Sequence, residues 1–194
     1  MINEIFNKIY NTKEWQSDGS SLSGPGGLLK YSEPYINLLN SFINNNKIKS
    51  ILDIGCGDFN LMKYIINDNI DYLGVDISNV IIEQNIKQYP NIKFKCLDIS
   101  SGCLKTHYFD LVLIKDVFQH LHINTINNVL QNLPNFKHCI ITNDILDDNL
   151  KNNQAILDGE YSPINLHTPP FNYKGSYILI WTSHPYQKGS FLLS

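Results

Sequence analysis

Five short apolar runs, each carrying an aspartate at or near its end, alternate with segments of helical period, and that alternation leaves the chain few folds to adopt. SILDI (50–54), DYLGVD (71–76), IKFKCLD (92–98), DLVLIKD (110–116) and HCIITND (138–144) read as strands, being short and rich in Ile, Val and Leu. Helical period marks Pro34 to about Asn44, with Ile36, Leu38, Leu39, Phe42 and Ile43 as its apolar positions, and the segments after Asp58, Ser78 and His122. The opening segment is amphipathic. Strands alternating with helices build βαβ units, hence a parallel sheet with helices on both faces. YILIWT (177–182) and SFLLS (190–194) are separated only by the HPYQKG turn region, and so short a link joins antiparallel neighbours. The expected fold class is α/β: one doubly wound sheet, mostly parallel, with a C-terminal antiparallel hairpin.

At 194 residues and 43% hydrophobic content the chain can bury one sizeable core, so a single domain over 1–194 is expected. No solenoid-like repeat is present. The net charge is −3, and all 15 basic residues are lysines, scattered along the chain. Arginine, the residue suited to forked phosphate contacts, is absent, which disfavours nucleic acid as a partner. Abundant Asn and Ile with a single alanine, Ala155, fit the codon bias of an AT-rich genome and are no functional signal. Cys56, Cys96, Cys103 and Cys139 lack CxxC or metal-ligand spacing and read as reduced thiols. With no signal-peptide core and no apolar stretch near ~18 residues, the expectation is a cytoplasmic protein with no membrane partner, a monomer or homodimer.

The first strand runs into ILDIGCGDFN (51–60). A strand, a glycine turn and a helix set backbone N–H groups against a ligand, with Gly55 and Gly57 where a Cβ would block approach. The dinucleotide fingerprint G-x-G-x-x-G fails here, because Asn60 takes the third glycine's place and Asp53 and Asp58 would repel a pyrophosphate. Asp76 closes the next strand about 20 residues past the first glycine, where a carboxylate accepts both ribose hydroxyls of a nucleoside. Asp98 closes the third strand. Acids at three successive strand ends suit a ligand with ammonium, ribose and adenine amine donors, and S-adenosylmethionine carries all three. Asp53 has two readings, as the ammonium partner or as an acceptor of N–H bonds within its own turn.

ILDIGCG, YLGVDIS, FKCLDIS and FDLVLIKDVFQHL resemble the successive motifs of class I S-adenosylmethionine-dependent methyltransferases, over about Ser50 to Asn143. SGPGG (23–27), the GDFN ending of the glycine loop and GEYSPINLHTPPF (159–171) are similar to a small bacterial and viral group within that class, with Gly27 at its second serine and Met62 at its frequent tryptophan. The resemblance implies a Rossmann-like methyltransferase fold, divided into an N-terminal helical and lid segment (1–46), a cofactor core (50–144) and an acceptor loop with terminal hairpin (145–194). It implies a cofactor set of Trp15, Ser23, Gly24, Asp53, Gly55, Gly57, Asp76, Ile77, Asp98, Ile99 and Asp116, with S-adenosylhomocysteine as product. SSLSGPGG has a second reading as a plain flexible loop.

Methyl transfer from a sulfonium asks the protein to position a nucleophile and, for a hydroxyl, to deprotonate it. Asp116, His120 and Asp144 are the candidate catalytic residues, His120 having the ordinary pKa best placed for a base. The four-residue spacing of Asp116 and His120 would stack them on one helical turn, where capping or packing is an equal alternative. Asp116 and Asp144 could hold a divalent ion, but the spacing is generic and no metal is predicted. Asn143, Asn165, His167 and Phe171 are the substrate-binding candidates, with Asn143 and Asp144 expected to face the acceptor together. A small-molecule or glycan acceptor, through a sugar or nucleotide-sugar hydroxyl, is preferred. A nucleic-acid or protein methyltransferase and an inactive partner subunit are the other classes.

Overall fold

Ile51, Leu52 and Ile54 are almost wholly buried in β1 (Ser50–Ile54), the strand that leads into the glycine loop. The computed structural model describes residues 1–16, 21–146, 152–183 and 186–194. Its strands form a seven-stranded sheet in the order β3-β2-β1-β4-β5-β7-β6. The chain divides into two compact units, Met1–Asp98 and Ile99–Ser194.

In the first unit, β1 pairs in parallel with β2 (Asp71–Asp76), which pairs in parallel with β3 (Lys93–Cys96). Gly74 faces Phe94 across the β2–β3 ladder, and a Cβ there would sit 2.8 Å from the Phe94 ring, so the glycine makes room for it. Helix α1 (Ile2–Thr12) packs on α3 (Asn79–Gln88), which packs on β2 and β3. Helix α2 (Leu29–Asn46) starts a turn earlier than the proline suggested, with Pro34 inside it and the Ser32 hydroxyl donating to the Gly26 carbonyl at 2.7 Å. A proline so near the start removes one helical hydrogen bond and is tolerated.

The helix expected after Asp58 does not form. Only the single 3₁₀ turn Met62–Tyr64 is found there. Phe59 adopts a left-handed backbone (φ 60°), and its ring packs against Tyr72, Tyr89 and Phe94 at centroid distances of 5.4, 4.9 and 5.2 Å. Burial of that ring takes precedence over helical propensity, and the Asn67 side chain then turns the chain by accepting from Asn69 N.

In the second unit, β4 (Tyr108–Lys115) pairs in parallel with β5 (Asn135–Ile145), and α4 (Ile123–Gln131) starts from His122, whose ring nitrogen accepts from Asn124 N. The hairpin is present, formed by β6 (Gly175–Ser183) and β7 (Tyr186–Leu193), and β7 rather than β6 lies against β5, antiparallel. The expected turn region is mostly strand: Tyr186 to Gly189 belong to β7, while His184 and Pro185 lie outside the described residues. Among the described residues no helix is long and apolar enough to cross a membrane.

Candidate functional site

In the Met1–Asp98 unit the glycine loop closes on Asp76. Gly55 and Gly57 both have positive φ (71° and 53°), and the N–H groups of Gly55 and Cys56 donate to the Val75 carbonyl. Asp76, the last residue of β2 and only 7% exposed, accepts from Gly57 N at 3.1 Å and from Ser78 N at 2.9 Å. Burial raises its pKa to about 6 against the pull of backbone N–H groups from Ser78, Gly57 and Ile77. These are dipoles, not cations. A carboxylate so placed gains most from added donors, and the two hydroxyls of a ribose are such donors.

Asp53 Oδ2 accepts from the buried Tyr72 hydroxyl of β2 at 2.7 Å, a bond from the neighbouring strand and not one of the N–H bonds expected from its own turn. Asp98 lies two residues beyond β3 and is exposed, followed by the buried Ile99. Ile77 is half-buried, and its carbonyl accepts from the Cys96 thiol. Trp15 stacks edge-on to Phe6 and Tyr10 at 6.0 and 6.1 Å, so it packs on α1.

The two short motifs of the narrower resemblance are physically one device. Asp58 Oδ2 accepts from the Ser21 hydroxyl (2.8 Å) and Leu22 N (2.6 Å), Ser23 Oγ accepts from Asp58 N (3.0 Å), and Asn60 Nδ2 donates to the Gly27 carbonyl (2.7 Å). GDFN therefore holds SGPGG against the glycine loop. Two glycines are required by the closeness: a Cβ on Gly57 would stand 2.3 Å from Ser23 Oγ, and one on Gly27 would stand 2.3 Å from Ser21 Oγ. The second contact leaves no room for a side chain at Gly27 while Ser21 holds Asp58. Gly24, at φ 83°, turns the chain beside Trp15. Ser20 and the three residues before it lie outside the described residues.

In the Ile99–Ser194 unit the acids are held by lysines. Lys188, 4% exposed, donates from Nζ to Asp116 Oδ1 and to Asp144 Oδ1, each at 2.6 Å, and Lys115 pairs with Asp116 Oδ2. Burial would raise the Asp116 pKa, but Lys115 and Lys188 overcome it and hold the carboxyl well below its usual range. Such a group is a poor proton acceptor, and both of its oxygens are engaged. Asp144 Oδ2 accepts from the Tyr161 hydroxyl at 2.9 Å.

His120 closes the 3₁₀ turn Phe118–His120. The helical stacking expected for Asp116 and His120 does not occur, because Asp116 has a left-handed backbone (φ 59°) that separates it from that turn. The His120 Nδ1 lies 3.0 Å from the Glu160 carbonyl, which can only accept, so Nδ1 carries the hydrogen and Nε2 the lone pair. Burial lowers the His120 pKa, outweighing the opposing effects of that bond and of Asp116 and Asp144.

The segment 159–173 is fixed along this unit. Gly159 N donates to the His120 carbonyl, Ser162 N to Gln119 O and Ile164 N to Asp144 O. The substrate candidates divide here. Asn165 Oδ1 accepts from His167 N and the Tyr177 hydroxyl, and His167 Nε2 meets the Gly175 carbonyl, so both fasten the segment to β6. Phe171 is 8% exposed and belongs to the core. Asn143 and Asp144 do not face one acceptor together, because both lie within β5 and adjacent strand residues point to opposite faces. Lys188, Lys115, Gln119 and Tyr186 were missed. No sequence signal marked Lys188, because its place directly opposite Asp144 is set by the register of β7 on β5.

Residues 52–136 match a family model described as a methyltransferase domain (Methyltransf_12). No curated protein sequence matches the chain. Among solved structures, the methyltransferase domain of bacterial CtHen1 is similar at 15% identity and TM-score 0.63, over 84% of this chain and 100% of that one. TehB from Haemophilus influenzae is similar at 13% identity and TM-score 0.61, over 86% of this chain and 66% of that one. An O-methyltransferase family protein from Burkholderia thailandensis is similar at 11% identity and TM-score 0.57, over 84% of this chain and 56% of that one. Likeness at these identities speaks for a shared fold.

Proposed function

We propose that this chain, which carries a methyltransferase domain over residues 52–136, uses S-adenosylmethionine to methylate a hydroxyl of a sugar, nucleotide sugar or glycan. The observation that carries the hydroxyl reading is the hydrogen-bonding geometry of His120: Nδ1 lies 3.0 Å from the Glu160 carbonyl, and Nε2 lies 3.5 Å from the Gln119 amide nitrogen, a long contact in which Nε2 is the acceptor and so the basic nitrogen. S-adenosylmethionine supplies a methyl group on a sulfonium. The chain's own tasks are to bind the nucleoside through Asp76 and the glycine loop, to hold the acceptor, and to receive the acceptor proton at His120 Nε2. Asp116 is a poor base, being held ionised by two lysines.

The sugar reading is supported by the aromatic surface beside His120. Tyr161 lies 5.9 Å from the His120 ring and 5.5 Å from Tyr186, both tyrosines being 38% exposed and able to stack on a sugar ring. Lys115 and Lys188 are committed to aspartates, so this cluster offers little to a polyanion.

The test is transfer of label from S-adenosylmethionine to nucleotide sugars, simple glycans, RNA and protein extracts. Label in a sugar is expected, and His120→Ala should lower turnover by roughly 10² to 10⁴-fold with cofactor binding unchanged. The acid limb of the wild-type rate should lie below the ordinary imidazole value of ~6.5, since the base stays neutral there. Label in RNA or protein with none in sugars would overturn the acceptor, and a fully active His120→Ala would overturn the base.

A further inference from the structure

We infer that Lys188 is a built-in cation standing where a divalent ion would otherwise sit between Asp116 and Asp144, and that through Asp144 it positions Tyr161. The positioning half rests on the acceptor reading above; the cation half does not.

Asp116 follows the last residue of β4, and Asp144 lies near the end of the neighbouring parallel strand β5. Two carboxylates converging on one point repel each other, and either one takes up a proton or a cation joins them. Paired anionic oxygens are also the donors that Mg²⁺ and Mn²⁺ prefer. Here the point of convergence is filled by Lys188 Nζ, 2.6 Å from each carboxylate. The antiparallel register that places Lys188 opposite Asp144 delivers the ammonium there, and the next pair along the same face, Thr142 and Ser190, is joined by a hydroxyl bond of 2.8 Å.

The charges also match. Lys188 and Lys115 together carry the two positive charges that one divalent ion would bring to two aspartates. An ammonium differs from the ion in consequence: it has no open coordination position and cannot polarise an acceptor oxygen. What it does is hold Asp144, whose second oxygen holds the Tyr161 hydroxyl at 2.9 Å and so fixes that ring beside His120. Lys188 is thus a positioning residue.

The test measures Mn²⁺ binding by electron paramagnetic resonance on wild type, Lys188→Ala and the double variant Lys188→Ala with Asp144→Asn. Lys188→Ala should take up one Mn²⁺ per chain at least ~10-fold more tightly than wild type, and the double variant should lose it. Mn²⁺ should likewise raise the melting temperature of Lys188→Ala and not that of wild type. If Lys188→Ala is unfolded without metal, Lys188→Met serves beside it, and Mn²⁺ should restore the folded far-ultraviolet dichroism of the alanine variant but not of the bulkier methionine one. Wild type binding Mn²⁺ as tightly as the variant through Asp144, or a variant gaining nothing from Mn²⁺ by any of these readouts, overturns the inference. None of these measurements needs cofactor or acceptor, so failure of the transfer assay alone would sink the proposed function and leave the cation assignment standing. For the positioning half, wild-type turnover should be indifferent to chelator, and Mn²⁺ should restore turnover to Lys188→Ala; chelator-sensitive wild type contradicts it.

Discussion

Asp76 and Asp116 stand at equivalent points, each at the carboxyl end of a parallel strand, and their surroundings are opposite. Asp76 is buried against backbone N–H dipoles and its pKa is raised to about 6. Asp116 is buried against Lys115 and Lys188 and its pKa is depressed. The difference separates a carboxylate that still gains from a donor-rich ligand from one whose charge is already balanced within the chain. Burial acts the same way on both. What differs is whether a cation answers it, and on that contrast we propose the first acid for ligand binding and the second for organising its surroundings.

The largest expected effect comes from making the second region resemble the first. Lys188→Met leaves Asp116 with Lys115 alone and removes the cation that Asp144 shares with it, and breaking such a buried pair should cost about 3–5 kcal/mol, read from urea unfolding without metal. A loss below ~1 kcal/mol would mean that the acids relax into solvent and that the contrast is superficial.

Next in size is Gly57→Ala, which strains a left-handed position and drives a Cβ into Ser23. It should cost about 1–3 kcal/mol, part of it recovered by adding Ser23→Gly. No recovery would show that SGPGG is not held against the loop as described.

The smallest effect is a difference in pH dependence. For Asp76 the folded pKa is raised from the usual 3.8 to about 6, so its contribution to ligand-free stability declines as pH rises through that interval. For Asp116 the folded pKa is lowered, so its contribution is present above the usual carboxyl value and is lost only as pH falls below it. Proton uptake on unfolding, measured by calorimetry in buffers of different ionisation enthalpy, should therefore change sign between about pH 3 and pH 6. One sign throughout would remove the contrast.

Most of the fold was legible because strands in a parallel sheet are continuous apolar runs: β1 and β2 begin and end where SILDI and DYLGVD do. The region after Asp58 was not, since its helical spacing of Leu61, Met62 and Ile65 is the same whether those side chains cover a core from a helix or from an irregular turn. The aromatic cluster around Phe59, made by residues distant in sequence, decided it. The glycine loop and Asp76 were readable because they are local. The lysine clasp was not, because it depends on the register of β7, and the HPYQKG stretch had the composition of a turn. Phe171 stood among the substrate-binding candidates for a related reason, as only tertiary packing makes it core.

The central claim, that Asp76 and the glycine loop bind a nucleoside carrying the methyl donor, is tested most directly by calorimetric titration of S-adenosylmethionine into wild type and Asp76→Ala. Saturable binding is expected in wild type, weakening as pH falls below about 6 where Asp76 takes up a proton. In Asp76→Ala the affinity should drop by ~2 kcal/mol or more, about 30-fold, as two ribose hydroxyls lose a charged acceptor. Unchanged affinity in the variant, or no binding by wild type at any pH where it is folded, would contradict the account.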